Sequence, residues 1–469
     1  MGKHVLSKST FIRGLQCLKS LYLHKHRPFL RDRLSATQLN KFDRGHEVGA
    51  LAHSLFPGGI NCAPHHPSAY RKSVEKTTQL ILEKFPVIYE ATLQANEVLV
   101  MADILVLNDE TWDIYEVKSS LKISQTYIYD VALQYYVLRE SGIPPGKAYL
   151  MHVNQDYLYE GGEIDPMLFF RKIDVTSEVV GLQDNIKTTI EAEKKVLEAS
   201  TSPAIPIGTW CFSPYPCDFI GHCWKNEPPD SVALLQSITP QERFKLKEKG
   251  ILSWKDLLQQ PVQNPILRAE LEARSFGRPF VDSKKLREKL EEIKNPVWIY
   301  LLAAENAIPM IPGTQPFEPV PRVWGISTDK SVIINAASRY PDKNPLELCK
   351  DDAYSIGIND NEVFFTWGSR AVSTLKRLFP HSRVEDLTEW LWSSFLYFPY
   401  PCEDTEPWLF ASQAGLMNGP NEKSSAEDVL RKIQKDAEYA AGSHMSDFIR
   451  TELSALKLIF HLVNQLAKN

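Results

Sequence analysis

The run VLVMADILVL, residues 98–107, is apolar except for one carboxylate, Asp103. An acid inside such a run is costly unless it has a partner. Thirteen residues after Asp103, the segment WDIYEVK brings Glu116, with Lys118 two places further on. Strand side chains alternate faces, so Glu116 and Lys118 share one face while Tyr115 and Val117 take the other. Asp103 and Glu116 can offer oxygen ligands to one Mg²⁺ or Mn²⁺, with water and a substrate phosphate completing the octahedron. The metal lowers the pKa of a bound water and stabilises charge on the phosphate. Lys118 can orient that water or neutralise the transition state. A Glu-x-Lys on a strand is also what a solvated charge pair looks like. The acid in the neighbouring apolar run is what points to a site.

The elements that must position these groups read as follows. Asn108-Asp109-Glu110 supplies turn chemistry, so the two runs form a hairpin. VIYEATLQ begins the sheet and carries Glu90. A helix from about Leu39 to Leu55 holds His46 and His53 and stops at Pro57-Gly58-Gly59. Residues 67–85 read as another helix. After the hairpin, KISQTYIYDVALQYYVLRESG predicts a helix with Gln134, ending at Gly142. At the N-terminus, Ser7 is a candidate N-cap, and Phe11, Leu15, Leu18 and Tyr22 recur at helical spacing on a helix that also carries Cys17. KAYLMHVNQDYLYEG predicts a strand pair, and TSEVVGLQDNIKTTIEAEKKVLEAS a long polar helix.

The chain has 469 residues, 43% hydrophobic and 24% charged, which suits two or three globular domains. No apolar run is long enough to span a bilayer, and MGKHVLSKSTFIRG lacks a signal-peptide core, so a cytoplasmic protein with no membrane partner is expected. The net charge of −5 hides an asymmetry: residues 1–44 hold ten Lys and Arg against Asp32 and Asp43, a local +8 that leaves −13 elsewhere. A basic end interleaved with Phe11, Tyr22, Phe29 and Phe42 suits the backbone of single-stranded nucleic acid, and equally a solvated basic face.

Seven cysteines at irregular spacing suggest metal or cluster ligands rather than disulfides. TWCFSPYPCDFIGHCW places Cys211, Cys217 and Cys223 at C-x5-C-x5-C. A zinc site usually offers a C-x2–4-C pair and a nearby fourth ligand. His222 is the local option, adjacent to Cys223 and poorly placed; Cys17 is a distant fourth thiolate. Cys62, Cys349 and Cys402 have no comparable spacing and read as ordinary buried thiols.

Asp103, Glu116 and Lys118 at D-x(12)-E-x-K across a hairpin resemble the signature of the PD-(D/E)XK nuclease superfamily, and MADILVL…WDIYEVKSS is similar to its RecB-type branch. The resemblance implies an α/β, restriction-endonuclease-like core with flanking helices and a metal-dependent DNA nuclease. Asp103 and Glu116 would be the metal ligands and Lys118 the electrostatic support. Glu90 matches the branch's acid on the preceding strand, and Gln134 its substrate-contacting glutamine; Tyr135 and Tyr136 follow. The branch also carries a metal-binding histidine on the helix before the sheet. Gly45-x-x-Val48 is followed by Gly49, whereas Gly49-x-x-x-His53 also fits, so His53 is carried over ahead of His46. One N-terminal cysteine plus a C-terminal triplet around this core resembles the iron–sulfur nucleases, namely the AddB nuclease domain and the CRISPR-associated RecB-like exonucleases. That layout implies a structural [4Fe–4S] cluster on Cys17, Cys211, Cys217 and Cys223. The implied substrate is single-stranded DNA or DNA ends, in repair or antiviral defence. A non-catalytic nucleic-acid-binding scaffold and an RNase of the same core are the rival readings.

These features organise the chain into an iron–sulfur nuclease domain (1–226), a linker module (227–292) and a last domain (293–469). In the linker, LLQSITPQERFKLKEKGILSWKDLLQQP resembles a helix-hairpin-helix, and a small helical spacer reads equally well. The last domain reads as α/β and resembles a DnaQ-like, RNase H-like exonuclease. Its Asp-x-Glu position is Ala303-Ala304-Glu305, and Glu452 and Asp386 are the remaining acids. Loss of the first aspartate implies a degenerate exonuclease kept for fold, DNA grip or contact with other repair or defence proteins.

Overall fold

Ser7 and Thr10 form a reciprocal capping box that opens the first helix: Ser7 N–H donates to Thr10 Oγ1 at 2.7 Å and Thr10 N–H to Ser7 Oγ at 3.4 Å. The computed structural model describes residues 5–33, 36–399, 406–417, 425–435, 439 and 442–468; Cys402 lies outside them. The helix, α1 (Lys8–Gln16), does not continue into α2 (Leu18–His26). Cys17 stands between them in extended conformation (φ −164°), closing α1 and opening α2. The expectation of one helix bearing Cys17 is therefore corrected: the apolar spacing reads straight through a break that only the backbone reveals.

Leu6–Ser7 forms β1. Then follow α3 (Ala36–His53), β2 (Ile60–Asn61), α4 (Tyr70–Leu82), β3 (Val87–Ala95), β4 (Val98–Asn108), β5 (Thr111–Lys118), α5 (Gln125–Glu140), β6 (Pro145–Val153), α6 (Pro166–Phe169), β7 (Phe170–Asp174), α7 (Thr176–Gly181), α8 (Gln183–Glu198) and α9 (Ile220–Trp224). Asp109 takes φ +53° in the β4–β5 turn, a conformation Asp tolerates. The strands make one sheet in the order β2-β3-β4-β5-β6-β7, with β1 beside β4. The β3–β4–β5 meander is antiparallel, and β6 runs parallel to β5. KAYLMHVN forms a strand, but its antiparallel partner is β7, not QDYLYEG, which is a loop with Gly161 and Gly162 at positive φ. The polar helix is likewise split, between Gly181 and Gln183.

Apolar residues cover both faces of the sheet. On one side Phe11, Val131, Leu133, Ile186 and Ile190 pack on Ile88, Val100, Ile114 and Leu150. On the other, Val48 and Ala52 of α3 pack on Tyr89, Ile104, Tyr115 and Met151. Each such fully buried side chain contributes roughly 1.5–3 kcal/mol. Both central strands change face partway along. In β3, Tyr89 lies on the α3 side but Ala91 and Leu93 on the other; in β4, Val98, Val100 and Ala102 lie opposite Ile104. The alternation breaks at Glu90 and at Asp103. Glu90 has φ +49°, the left-handed region, in the middle of its strand.

By its contacts the chain divides into two units: Met1–Asn226 with Asn306–Phe317, and Glu227–Glu305 with Glu318–Asn469. The short 306–317 segment thus groups with the first unit rather than with the last domain as read from sequence. Its Ala307, Ile308 and Phe317 join the α3-side core, and Tyr159 bridges to Thr314.

The second unit begins with α10 (Pro240–Glu248), α11 (Trp254–Leu257) and α12 (Pro265–Phe276), whose small core is Val232, Leu235, Ile238, Leu257, Leu267 and Leu271. It continues with β8 (Phe280–Val281), α13 (Ser283–Glu291), β9 (Val297–Glu305), β10 (Pro319–Ser327), β11 (Val332–Ala336), α14 (Pro345–Ser355), β12 (Val363–Thr366), α15 (Ser369–Leu378), β13 (Arg383–Asp386), α16 (Leu387–Leu391), β14 (Leu396–Tyr397), α17 (Pro407–Gln413), α18 (Ala426–Lys435) and α19 (Ser443–Lys468). The sheet order is β11-β10-β9-β12-β13, with β10 antiparallel to its neighbours and β12 and β13 parallel to β9. Helix α19 covers one face and α14 and α15 the other. Both units are mixed α/β. Among the described residues no helix is long and apolar enough to cross a membrane.

Candidate functional site

Register gathers the acids of the first unit. Tyr89 pairs with Ile104 and Ala91 with Ala102, which sets Glu90 opposite Asp103. Ile104 pairs with Tyr115, and the same register one residue further sets Asp103 opposite Glu116. Three carboxylates from three adjacent strands therefore stand in one row, at the place where two of the strands change face. Asp103 Oδ2 accepts Val117 N–H at 2.7 Å, so the side chain stands in for a ladder acceptor.

Two ammonium groups meet Glu116, which is buried. Lys118 Nζ donates to Glu116 Oε1 at 2.7 Å and to Asp130 Oδ2 at 2.6 Å. Lys8 Nζ, from the first residue of α1, donates to the same Glu116 Oε1 at 2.8 Å and lies 4.0 Å from Asp103 Oδ1. Gln134 Nε2 donates to Glu116 Oε2 at 2.6 Å and to Asp130 O at 3.2 Å. Gln134 Oε1 is buried with no hydrogen-bond partner among the described residues, an acceptor left open beside the carboxylates.

The ionisation states follow from this packing. Burial, and then the Glu116 charge, raise Asp103 above the ordinary carboxylate range. Burial opposes ionisation of Glu116 as well, but Lys118 and Lys8 together outweigh it and hold its pKa low. Burial also raises Glu90. Both lysines are raised despite burial, because the carboxylates stabilise their charge.

Of the residues expected at the site, Glu90, Asp103, Glu116, Lys118 and Gln134 come together. The His53 ring stacks on Tyr89, the residue before Glu90, at 3.9 Å, and burial lowers its pKa. His46, seven residues earlier on α3, is the histidine whose charge reaches Glu90. Seven residues is nearly two turns, so both histidines occupy the same side of the helix. Tyr136 is buried in the core and donates no contact to the acids; its hydroxyl receives Asn96 Nδ2 at 3.0 Å.

Lys8 and Asp130 were not singled out from sequence. A weak signal existed for each. Asp130 is an acid in the apolar helical stretch YIYDVALQYY, one turn before Gln134. Lys8 is a cation in the first turn of a capped helix, where the dipole disfavours it unless an acid is near.

The four candidate cysteines also meet. Cys17, Cys211, Cys217 and Cys223 line one cavity with Lys19, Ser20, Trp210 and Phe219. Cys217 N–H donates to Cys211 O at 2.8 Å, and Cys217 Sγ lies 3.5 Å from Ser20 Oγ. Burial raises the Cys17 and Cys223 thiols, and the other cysteines of the cavity raise them further. Such mutual repulsion between thiolates is what a bound cation would relieve. The all-sulfur donor set suits iron–sulfur chemistry. The thiols surround the cavity without closing on a point: among the described residues no group of three or more His, Cys, Asp or Glu stands in metal-holding geometry. Cys62 and Cys349 are buried apart from this cavity.

The cysteine cavity and the acid row are mechanically joined. Arg13 of α1 pairs with Asp218 at 2.7 Å, and Gln16 Nε2 donates to Trp210 O and Tyr215 O at 2.8 and 2.7 Å. Tyr215, between Cys211 and Cys217, feels the charges of Asp130 and Lys118. Lys118 also lies 4.9 Å from the Tyr127 ring.

In the second unit the expected acids separate. Asp386 caps α16, its Oδ1 accepting Thr388 N–H at 2.9 Å and Gly368 N–H at 3.0 Å. Glu305 pairs with Arg370 at 3.1 Å. Glu452 is fully buried on α19, accepts Trp408 N–H at 3.1 Å, and is raised by burial and then by Glu406. Thr366 pairs with Asp386 and Phe365 with Trp298, so Asp386 lies level with Ile299. That is six residues from Glu305, or roughly 20 Å along the strands.

No protein-family model matches the chain, and no curated protein does. Among solved structures, one titled "Crystal structure of SSO0001" is similar at 14% identity over 41% of this chain and 89% of its own, with a TM-score of 0.14, too loose a likeness to carry an argument.

Proposed function

We propose that the first unit is a metal-dependent DNA nuclease of the PD-(D/E)XK type. The observation that carries the reading is the row Glu90–Asp103–Glu116 with Lys118 fixed between Glu116 and Asp130 at 2.7 and 2.6 Å. Asp103 and Glu116 would hold Mg²⁺ or Mn²⁺, which supplies an activated water. Lys118 would support the charge that develops on phosphate, oriented by Asp130. Gln134, with its open acceptor, would fix that water or the substrate backbone, and Glu90 would add charge at the edge. The basic α1–α2 region would lead single-stranded DNA or a DNA end toward the row, in repair or antiviral defence. A [4Fe–4S] cluster on Cys17, Cys211, Cys217 and Cys223 would brace α1 against the 211–223 loop.

The second unit we read as a degenerate DnaQ-like exonuclease, a contact or DNA-gripping domain for other repair or defence proteins. Its sheet, third strand to fifth in the order 3-2-1-4-5 with the second antiparallel, supports the fold this resemblance implies. The dispersal of Glu305, Asp386 and Glu452 supports the loss of activity. The test of the whole reading is Lys118→Ala protein assayed with Mn²⁺ on labelled single- and double-stranded DNA and on RNA. Cleavage should fall at least ~100-fold. Cleavage equal to wild type would overturn the assignment, and cleavage confined to RNA would move it to the RNase reading.

A further inference from the structure

Lys8 has no counterpart in the motif that drew attention to the acid row. It comes from the far N-terminus, 108 residues from Glu116, and shares Glu116 Oε1 with Lys118. Its ammonium lies 2.8 Å from Glu116 and 4.0 Å from Asp103, between the two carboxylates. A cation held by both acids would need those same oxygens. An ammonium and a divalent ion cannot fill one position between Glu116 Oε1 and Asp103 Oδ1, so an ion entering there takes the place of the ammonium.

Resting on the nuclease reading above, we propose that Lys8 is a displaceable counter-ion: it holds Asp103 and Glu116 together by itself and must leave them when the divalent ion enters. Three features of the structure favour such a role. Lys118 is tied a second time, to Asp130, and so stays on the site when one contact is lost; among the described residues Lys8 has only the longer 4.0 Å approach to Asp103 as its second ion pair. Lys8 is the first residue of its helix, at its end rather than within its length. Its side chain is the more exposed of the two, 27% against 17%, which leaves it a way out. Metal affinity in this protein is then set by a competition that the chain itself imposes. A site made of Asp103, Glu116 and Lys118 alone would bind the ion more tightly.

Calorimetric titration of the full chain with Mn²⁺ tests this, comparing wild type, Lys8→Met and Asp103→Asn. The proposal expects Lys8→Met to bind Mn²⁺ at least fivefold more tightly than wild type and Asp103→Asn to bind none at the site. Equal or weaker binding by Lys8→Met, with wild-type binding abolished in Asp103→Asn, overturns the counter-ion role and leaves the metal site standing. Absence of Mn²⁺ binding to wild type and Lys8→Met alike overturns both. Reductive methylation of wild-type protein, read at Lys8 by mass spectrometry, serves if the Met variant fails to fold. Labelling of Lys8 should rise when Mn²⁺ is added; labelling that does not change overturns the proposal.

Discussion

Both units contain acids that the sequence singles out, yet only the first brings its acids together on adjacent strands. In the first, Glu90, Asp103 and Glu116 lie on adjacent strands at one level, and Lys8, Lys118 and Gln134 converge on Glu116. In the second, Asp386 is a helix cap, Glu305 a partner for Arg370, and Glu452 a buried acceptor for Trp408 N–H. Residue type is common to the two sets; shared level across a sheet is not. Each of these three acids is taken up by a backbone donor or a cation. The acids of the second unit therefore have structural work.

The sharpest way to break this contrast is to remove one group from each set. Lys118→Ala should lose at least ~100-fold in Mn²⁺-dependent cleavage, the usual cost of a lost electrostatic group at developing charge. Glu305→Gln and Glu452→Gln should stay within about twofold of wild type. Initial rates on a labelled oligonucleotide measure all three. A large loss in either second-unit variant would mean that the second unit carries chemistry after all.

Next in size is the coupling between the cysteine cavity and the row. Helix α1 ends at Cys17 and begins at Lys8, and the loop holding Cys211 and Cys217 carries Tyr215 toward Asp130 and Lys118. Cys217→Ser should lower bound iron, read by colorimetric assay of anaerobically purified protein. It should also reduce cleavage about 10- to 100-fold, as loss of outer supports to a site generally does. A cysteine of the second unit provides the control: Cys349→Ser should leave the iron content unchanged. Iron-free wild-type protein would remove the cluster from the comparison.

Several of these relations were legible in the sequence and several were not, for physical reasons. Asp103 stood out because an acid in an apolar run is anomalous, and the Asn-Asp-Glu turn set its strand beside Glu116. The cysteines stood out by spacing. Lys8 did not, because a contact 108 residues away leaves no local pattern. The break at Cys17 was hidden by apolar residues whose spacing continues across it. The positive φ at Glu90, which lets the strand change face at the acid, has no signature in a residue that is not glycine. The histidine assignment rested on a glycine spacing that fits His53, while the nearer charge to Glu90 is His46's. The 306–317 segment groups with the first unit through contacts far apart in sequence, which no local pattern reports.

The comparison can be sharpened inside the first unit by an acid outside the row. Glu193 on α8 is fully buried, and neither of its oxygens has a hydrogen-bond partner among the described residues. It fills the space at Gly14 of α1, where an added Cβ would stand 2.2 Å from Glu193 Oε1. Burial pushes its pKa up to about 9. In the unfolded chain the group ionises near ~4.3. Between those values the folded state holds a proton that the unfolded state has released, so stability falls as pH rises through that window and the loss is complete only above the folded pKa. Glu193→Met removes the titration. Its advantage over wild type in urea unfolding should widen by on the order of 4 kcal/mol between pH 5 and pH 8. Equal gaps at the two pH values would show that ionisation of Glu193 plays no part.

The smallest effect separates structural work from catalysis at Asp386. Its Oδ1 accepts from Thr388 N, Thr388 Oγ1 and Gly368 N at 2.9, 2.8 and 3.0 Å, so one oxygen caps α16 and ties the end of β13 to the start of α15. Asp386→Ala removes a cap and leaves the half-buried Gly368 N–H without its acceptor, a loss of about 1–2 kcal/mol. Asp386→Asn keeps an acceptor oxygen for the cap and should lose less than about half of that. Cleavage by both variants should match wild type at a temperature well below the melting transition. The order Ala below Asn below wild type in thermal stability, with one common rate, is what a capping acid predicts. A metal-ligating acid predicts the reverse: Asn as damaging as Ala to activity, with stability hardly altered. The two patterns differ in both measurements, so the pair of variants decides which kind of acid the second unit has kept.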